Sequence, residues 1–394
     1  MKRFLVVLMV AALFWACHSK INGPIRTIEN GVEVVDSGTG VFPSADGPHS
    51  LTLKEEFRID LENEALAAAG LSDIVGLDAD SKGRLYLFRS MRTEGPLIYQ
   101  FDEQGRFLKS FGRMGQGPGE AQYPGFLRIS PADEIRVHSQ APNRVLNFDG
   151  DGRLLREDKI TYDLLNRPYQ FVPLANGNYV ARHYKMPEDG QPIRETGLGL
   201  YGADFKPVKE IRKFEIPASI KPGQQILAIV PIVGASPSSF YVNWGAEGRD
   251  IAFFDLDGKM RRIVRAAFPS QAVPADYKKS LLDRIPQNPG TQEFRRFIEG
   301  MSTFPPYQSI LADEKGHLFA ASFEKDPTSG ANLCDVFSPE GVRILRAGLG
   351  YQDLIRYMGE AIPFDVVLKN GRCYCVREKP DGFKEVVVSS MIWR

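Results

Sequence analysis

This chain carries little ready-made chemistry. Its 394 residues include only 4 cysteines and 5 histidines. None of these makes a Cys-x-x-Cys, an HExxH or another short metal-ligand spacing. A G-x-S-x-G nucleophile elbow is also missing. Charge of one sign is lacking too, since 49 Lys+Arg balance 49 Asp+Glu. Nucleic-acid binders carry a basic excess, so no nucleic acid is expected as a partner. Beyond residue 20 no apolar run approaches the roughly 20 residues that a spanning helix needs. With 43% apolar and 25% charged residues, the composition excludes a disordered chain, a collagen or a coiled coil. What the chain does have is turn formers, 37 Gly and 27 Pro, which suit many short strands.

The first residues read as an export address. Met1-Lys2-Arg3 is basic, and Phe4 to Phe14 is an unbroken apolar run. That run is too short to span a bilayer but fits a signal-peptide core. Ala16 then precedes Cys17, and the apolar pattern stops at His18-Ser19-Lys20. A small residue and a Cys at this point resemble the bacterial lipoprotein signal, in which the Cys is acylated and becomes the mature N-terminus. The alternatives are plain secretion or an uncleaved anchor, with Cys17 incidental. The expected division is a signal peptide over 1–16, a lipid-anchored tether with an early strand over 17–48, and one large domain over 49–394. The early strand is Gly31-Val32-Glu33-Val34-Val35. Such a protein would face the periplasm or cell surface as a membrane-anchored lipoprotein and would be a monomer.

The large domain is a repeat. One element reads aromatic, Asp, two residues, Gly, then a strand. It occurs at Phe101-Asp102-Glu103-Gln104-Gly105, Phe148-Asp149-Gly150-Asp151-Gly152 and Phe254-Asp255-Leu256-Asp257-Gly258. Weaker copies stand at Phe337 to Gly341, at Tyr201-Gly202-Ala203-Asp204-Phe205 without the glycine, and at Pro380-Asp381-Gly382. Asp and Gly accept the positive φ of tight hairpins, so each copy predicts a hairpin. A turn-strand unit precedes each one, as in Gly83-Arg84-Leu85-Tyr86-Leu87. Successive hairpins lie 47, 53 and 53 residues apart, then 83. The excess falls on Ala275 to Met301, where Tyr277, Leu281, Leu282, Ile285, Phe294, Phe297 and Ile298 have helical spacing broken at Pro286 and Pro289-Gly290. These spacings predict an all-β six-bladed β-propeller of four-stranded antiparallel blades, with a two-helix insertion (275–301) between blades 4 and 5. Leu51 to Ile59 alternates like a strand and is expected to complete the last blade, which otherwise lacks its outer strand.

The run Gly112-Arg113-Met114-Gly115-Gln116-Gly117-Pro118-Gly119-Glu120 follows Phe111 and precedes Tyr123-Pro124. With Leu77-Asp78, Gly83 and Tyr86 before it, and Arg144, Phe148-Asp149 and Gly152 after it, the run resembles the signature loop of bacterial six-bladed propeller lipoproteins of the NHL-like class. The resemblance implies the fold and an exported, lipidated chain, and it implies little chemistry. The loop lacks the Lys-Ser/Thr of a phosphate cradle. It is expected to be structural, through Arg113, Gly115, Gln116, Gly117, Pro118, Gly119 and Glu120, with Arg113 and Glu120 paired across the turn.

Candidate binding residues are those that follow repeat strands and so reach a face of the disc: His138, His183, Trp244 and Arg249. Each has a plainer reading as a packed or solvated side chain. Asp78-Ala79-Asp80, Asp149/Asp151 and Asp255/Asp257 look ligand-like but sit where turns call for Asp. Three cysteines lie in the domain; Cys334 could bridge Cys373 or Cys375, or all three could be buried thiols. No catalytic residue and no cofactor is expected. The favoured function is a membrane-tethered, non-enzymatic binding or scaffold module for an extracytoplasmic protein, peptide or glycan, its binding face shaped by the helical insertion. The alternative is a metal-dependent propeller hydrolase or lyase, lactonase-like or NHL-lyase-like, with Ca or Zn in the central channel.

Overall fold

A computed structural model of the chain describes residues 23–44, 47–89, 95–160, 166–185, 195–215, 233–245, 248–268, 271–288, 291–328, 330–349 and 366–394. Its strands fall into six sheets. An N-terminal hairpin, β1 (Ile25–Glu29) and β2 (Val32–Asp36), comes first, then β3 (Leu51–Asp60) and a short helix α1 (Glu64–Ala68). Blade 1 is β4 (Ile74–Ala79), β5 (Leu85–Arg89), β6 (Ile98–Phe101) and β7 (Phe107–Phe111). Blade 2 is preceded by a two-residue strand β8 (Arg113–Met114) and comprises β9 (Glu120–Ile129), β10 (Ile135–Ala141), β11 (Asn143–Phe148) and β12 (Leu154–Lys159). Blade 3 is β13 (Asn166–Pro173), β14 (Tyr179–Lys185), β15 (Glu195–Tyr201) and β16 (Pro207–Glu215). Blade 4 is β17 (Val233–Ala235), β18 (Ser239–Trp244), β19 (Asp250–Asp255) and β20 (Met260–Arg265). The insertion follows as α2 (Ala275–Arg284) and α3 (Gln292–Gly300). Blade 5 is β21 (Ser309–Ala312), β22 (Leu318–Lys325), β23 (Asn332–Phe337) and β24 (Arg343–Leu349). Blade 6 is β25 (Val366–Lys369), β26 (Arg372–Glu378) and β27 (Lys384–Trp393), completed by β3 from the start of the domain.

The chain is therefore a six-bladed β-propeller. β3 pairs antiparallel with β27, from Glu385↔Asp60 to Trp393↔Leu51. This exchange satisfies the edge of β27 and ties the two ends of the domain together. The hydrophobic interior is not one core but a ring of six, each shared by two consecutive blades. Phe101 and Leu87 of blade 1 meet Tyr374 and Val388 of blade 6, and Tyr86 and Phe88 on the other face of blade 1 meet Leu127 and Val137 of blade 2. Because both faces of every blade are covered, the inner strands lose the apolar-polar alternation of a half-exposed sheet; Leu85 to Arg89 is buried at every position.

The repeated hairpin joins the third and fourth strands of blades 1 to 5. Its Asp caps the turn: Asp102 Oδ1 accepts from the amides of Gln104 and Arg106 (3.1 and 2.8 Å), and Asp149 and Asp255 do the same two and four residues ahead. Its Gly lies against the outer strand of the preceding blade. A Cβ on Gly105 would run into Phe57, and one on Gly152 would come within 2.7 Å of the Phe111 ring. The copy without glycine places Phe205 at the same left-handed position, φ +62°, with its ring buried and stacked 4.6 Å from Tyr179. The weak copy at Pro380-Asp381-Gly382 is a different turn. It joins the second and third strands of blade 6, because the fourth strand comes from the other end of the domain.

The N-terminal hairpin docks on blade 4, where β2 runs parallel to β20. The segment then continues along the rim. Ser37 Oγ accepts from the Arg343 amide of blade 5, Phe42 N donates to Arg343 O, and His49 N donates to Arg394 O of blade 6 before β3 begins. The stretch expected to be a tether with one strand thus carries a hairpin and straps three blades. The insertion helices carry a small core of their own, Leu281, Ile285, Ile298 and Met301, joined to blade 5 by Phe304 stacked 4.2 Å from Phe323. Arg295 closes the C-terminal end of α2 by donating to the carbonyls of Leu282 and Ile285 at 2.6 and 2.7 Å.

Candidate functional site

The inner strands β4, β9, β13, β17, β21 and β25 neighbour one another around the axis. Between their C-terminal ends lies a cavity of about 440 Å³ lined by all six blades. It opens among the turns that lead from each first strand to the second. The insertion leaves from the end of β20 and returns to the start of β21, so it lies on the opposite face of the disc.

The wall is largely aliphatic: Ile129, Val172, Leu174, Val233, Ile310 and Val367. Charged side chains interrupt it: Asp78, Arg128 and Lys369 at the strand ends, and Asp133, Asp313 and Glu314 on the turns. Asp78 of β4 is buried, with Oδ1 accepting from its neighbour Ala79 N at 2.8 Å and Oδ2 from Ile129 N of blade 2 at 2.7 Å. Lys369 of β25 stands 3.5 Å from Asp78 Oδ1 and donates to Ala79 O at 2.6 Å. Arg128 of β9 donates to Leu127 O at 2.9 Å. Its guanidinium is surrounded by protein, and burial pushes its pKa down while the Asp78 charge holds it up. Arginine nevertheless stays a cation in proteins. Asp78 thus interacts with both Lys369 and Arg128 at the cavity wall.

The rim is stapled from blade to blade. Asp133 of blade 2 accepts from the amide and the hydroxyl of Ser81 of blade 1, at 2.8 and 2.5 Å. Asn370 of blade 6 donates its amide to Glu314 of blade 5 and its side chain to Asp80 O of blade 1, both at 2.8 Å. Asp313 is taken by His317, Nδ1 to Oδ2 at 2.8 Å. The carboxylates at the rim therefore hold turns in place. The described residues contain no group of three or more His, Cys, Asp or Glu able to hold a metal ion. Asp80, part of the calcium-loop-like run, points instead to Arg84 Nε at 2.6 Å and Tyr86 Oη at 3.1 Å.

None of the four binding candidates proposed from sequence lines this cavity, whereas Asp78, read there as a turn residue, does. His138 is buried between the rings of Phe126 and Phe171, each 5.3 Å away, and donates to or accepts from Asn143 Oδ1 at 2.9 Å. Burial pushes its pKa down to about 4, against the raising effect of Asn143. His183 is buried beside Gly197 and Tyr201, with Tyr201 Oη 3.3 Å from Nδ1, and burial lowers its pKa too. Trp244 is half-buried, its ring 5.1 Å from the Arg212 guanidinium and 5.7 Å from Phe254. Arg249 is exposed at the start of β19, on the insertion's face. Cys17 lies outside the described residues. Cys334, Cys373 and Cys375 form no disulfide with one another and are buried in the core between blades 5 and 6.

The glycine-rich loop packs as an interblade connection. Gly117 N donates to Glu120 Oε2 at 3.0 Å and Gly119 N to Glu157 Oε1 at 2.6 Å. Glu120 thus turns to Gly117 rather than pairing with Arg113, which is exposed. Gly115 has φ +151°, and a Cβ there would run into the Glu120 carboxylate. Gln116 Nε2 bonds Gln122 at 2.6 Å, and Pro118 tops the loop.

Sequence reasoning missed Arg128 and Lys369. The signal for Arg128 was a cation inside the apolar run Phe126-Leu127-Arg128-Ile129 of an inner strand. Lys369 sits in an ordinary turn sequence, Lys369-Asn370-Gly371, and had none.

The chain is similar in structure to an exported-type protein of Bacteroides fragilis, so assigned provisionally, with 12% identity, a TM-score of 0.52, and coverage of 92% of this chain and 99% of that one. It also aligns with a luciferin-regenerating enzyme (13% identity, TM-score 0.41, coverage 86% and 95%). A third alignment is with virginiamycin B lyase of Staphylococcus aureus (11% identity, TM-score 0.35, coverage 86% and 88%). Identities this low speak to fold alone. No curated protein matches the sequence. Residues 72–195, from blade 1 into blade 3, match a family model described as a 6-bladed β-propeller, the architecture that the strands and the ring of interblade cores display.

Proposed function

We propose that the protein is an extracytoplasmic binding module, held to a membrane through Cys17, that takes part of a protein, peptide or glycan ligand into the mouth of its central channel. The observation that carries this reading is the cavity itself: about 440 Å³, walled by aliphatic side chains from blades 2 to 6, with charged groups fixed inside it. Such a pocket, mostly apolar with a small number of placed polar groups, is the usual form of a ligand site. The rim bonds Ser81–Asp133 and Asn370–Glu314 support it, since a rim already ordered loses little entropy on binding. The side chains around the cavity favour binding over metal-assisted hydrolysis: Asp78, a carboxylate of the cavity wall, has both oxygens engaged by backbone amides. The binding face is accordingly the one opposite the helical insertion, not the face that the insertion shapes.

The test is capture by immobilised chain from a periplasmic and surface extract. Ala175 stands at the cavity rim on a turn, so Ala175→Trp fills the mouth without touching an interblade core. Material held by the wild type and lost from Ala175→Trp is the expected result. Equal capture by both would overturn the channel as the site.

A further inference from the structure

We infer that the mouth of the channel takes one uncharged apolar side chain of a protein or peptide partner, of leucine or phenylalanine size, and takes neither a charged group nor a sugar. This deepens the channel reading above and rests on it.

The argument is an inventory of hydrogen bonds. A pocket built for a polar ligand keeps donors or acceptors waiting for it, at a cost while they stand empty. Here the polar side chains are engaged within the protein. On the strands, Asp78 accepts from Ala79 N and Ile129 N, Lys369 donates to Ala79 O, and Arg128 donates to Leu127 O. On the turns, Ser81 is held by Asp133, and Glu314 accepts from Asn370 N. Asp313 accepts from the amides of Lys315 and His317 and meets the His317 ring. Ser130 Oγ accepts from Glu134 N at 3.1 Å, and Ser236 Oγ accepts from Tyr241 Oη at 3.0 Å. No buried polar side-chain atom of the described lining lacks a hydrogen-bond partner. A sugar would strip water from several hydroxyls against a wall with nothing set aside to replace it.

What the wall offers freely is apolar surface. Ile129, Val172, Val233, Ile310 and Val367 supply it from blades 2 to 6. An apolar cavity of about 150 Å³ holds one benzene, and this one is about 440 Å³. It has room for a leucine or phenylalanine side chain with its neighbours at the mouth. Charge adds to the selection. The lining's carboxylates, Asp78, Asp133, Asp313 and Glu314, outnumber its cations, Arg128 and Lys369. That balance repels an acidic group. A basic group would shed its own water to meet carboxylates whose oxygens already serve the turns.

The full chain in lipid nanodiscs is titrated calorimetrically with acetyl-Gly-X-Gly-amide, where X is Leu, Phe, Gln, Glu or Lys, and with N-acetylglucosamine. Empty nanodiscs subtract partitioning into lipid. Leu and Phe peptides should bind at least tenfold tighter than the other four probes, because burying such a side chain is worth about tenfold to a hundredfold in affinity. Val172 is half-buried at the wall and outside the described interblade cores. Val172→Asp should therefore weaken Leu and Phe binding at least tenfold, while the wild-type ratios decide on their own. A preference below tenfold overturns the inference, as does tighter binding of the Lys, Glu or sugar probe. No binding of the Leu and Phe peptides at millimolar concentration overturns it too, and leaves the channel to be judged by the capture experiment. If a charged or sugar probe binds and Ala175→Trp stops it, the channel stands and only the apolar inference is lost. If the Leu preference survives Ala175→Trp, the channel reading falls as well.

Discussion

The Arg144 guanidinium reaches back across the glycine-rich loop to the Gly117 carbonyl, 2.6 Å from Nη2. The same nitrogen donates to Glu120 O at 2.8 Å, and Nη1 meets Glu157 Oε2 at 2.5 Å. One side chain from the third strand of blade 2 therefore gathers the loop carbonyls, while Glu157 receives the Gly119 amide. A Cβ on Gly115 or Gly117 would press on the Glu120 side chain, so glycine there leaves room for the loop that Arg144 gathers.

Arg144→Ala leaves those carbonyls and Glu157 without their cation. It should cost about 3 kcal/mol, the range for breaking a buried charged network. Chemical denaturation would show the loss as a lower midpoint, and an unchanged midpoint would contradict the role given to Arg144.

His138 is neutral in the folded protein, with its pKa pushed down to about 4 by burial. The unfolded chain binds a proton near pH 6.5, so stability is full above that pH and falls as the solution is acidified toward pH 4. The loss is up to about 3 kcal/mol from this residue; His183, also lowered by burial, adds in the same direction. Urea midpoints measured from pH 7 to pH 4 should fall, and His138→Phe should flatten part of that slope.

Phe205 holds a left-handed backbone that costs a non-glycine residue about 1 kcal/mol. Its ring contacts Tyr179 and Phe171 at 4.6 and 5.6 Å. Phe205→Gly relieves the strain and empties a core site worth about 3 kcal/mol or more. Net destabilisation is expected, with a lower thermal midpoint; a more stable variant would show that the turn, not the ring, dominates there.

The thiols report on both the core and the anchor. Burial raises the Cys373 pKa to about 12, so its thiolate is negligible at neutral pH. Native chain should leave Cys334, Cys373 and Cys375 unreacted with a disulfide reagent. In denaturant, membrane-extracted chain should yield three reactive thiols of the 4 cysteines if the proposed lipid occupies Cys17. Four would show that Cys17 is unmodified.

The ring of blades was legible because its hairpins repeat a chemical necessity, Asp to cap and Gly to turn, at a near-constant spacing. The pairing of β3 with β27 followed from a strand missing at one end and a spare strand at the other. The site was not legible. His138 and His183 follow repeat strands as a surface residue would, yet blades covered on both faces turn such positions inward. Lys369 and Asp78 are 291 residues apart, and nothing local marks their meeting. The insertion drew attention to its own face, whereas the cavity opens where the turns are short and featureless.

Hydrogen exchange on the full chain, with and without the material it captures from the extract, tests the central claim most directly. The account predicts slower exchange on binding in the turns 80–84, 130–134, 313–317 and 369–371, with 275–301 unchanged. Protection confined to 275–301, with those turns unaffected, would contradict it and move the binding site to the other face.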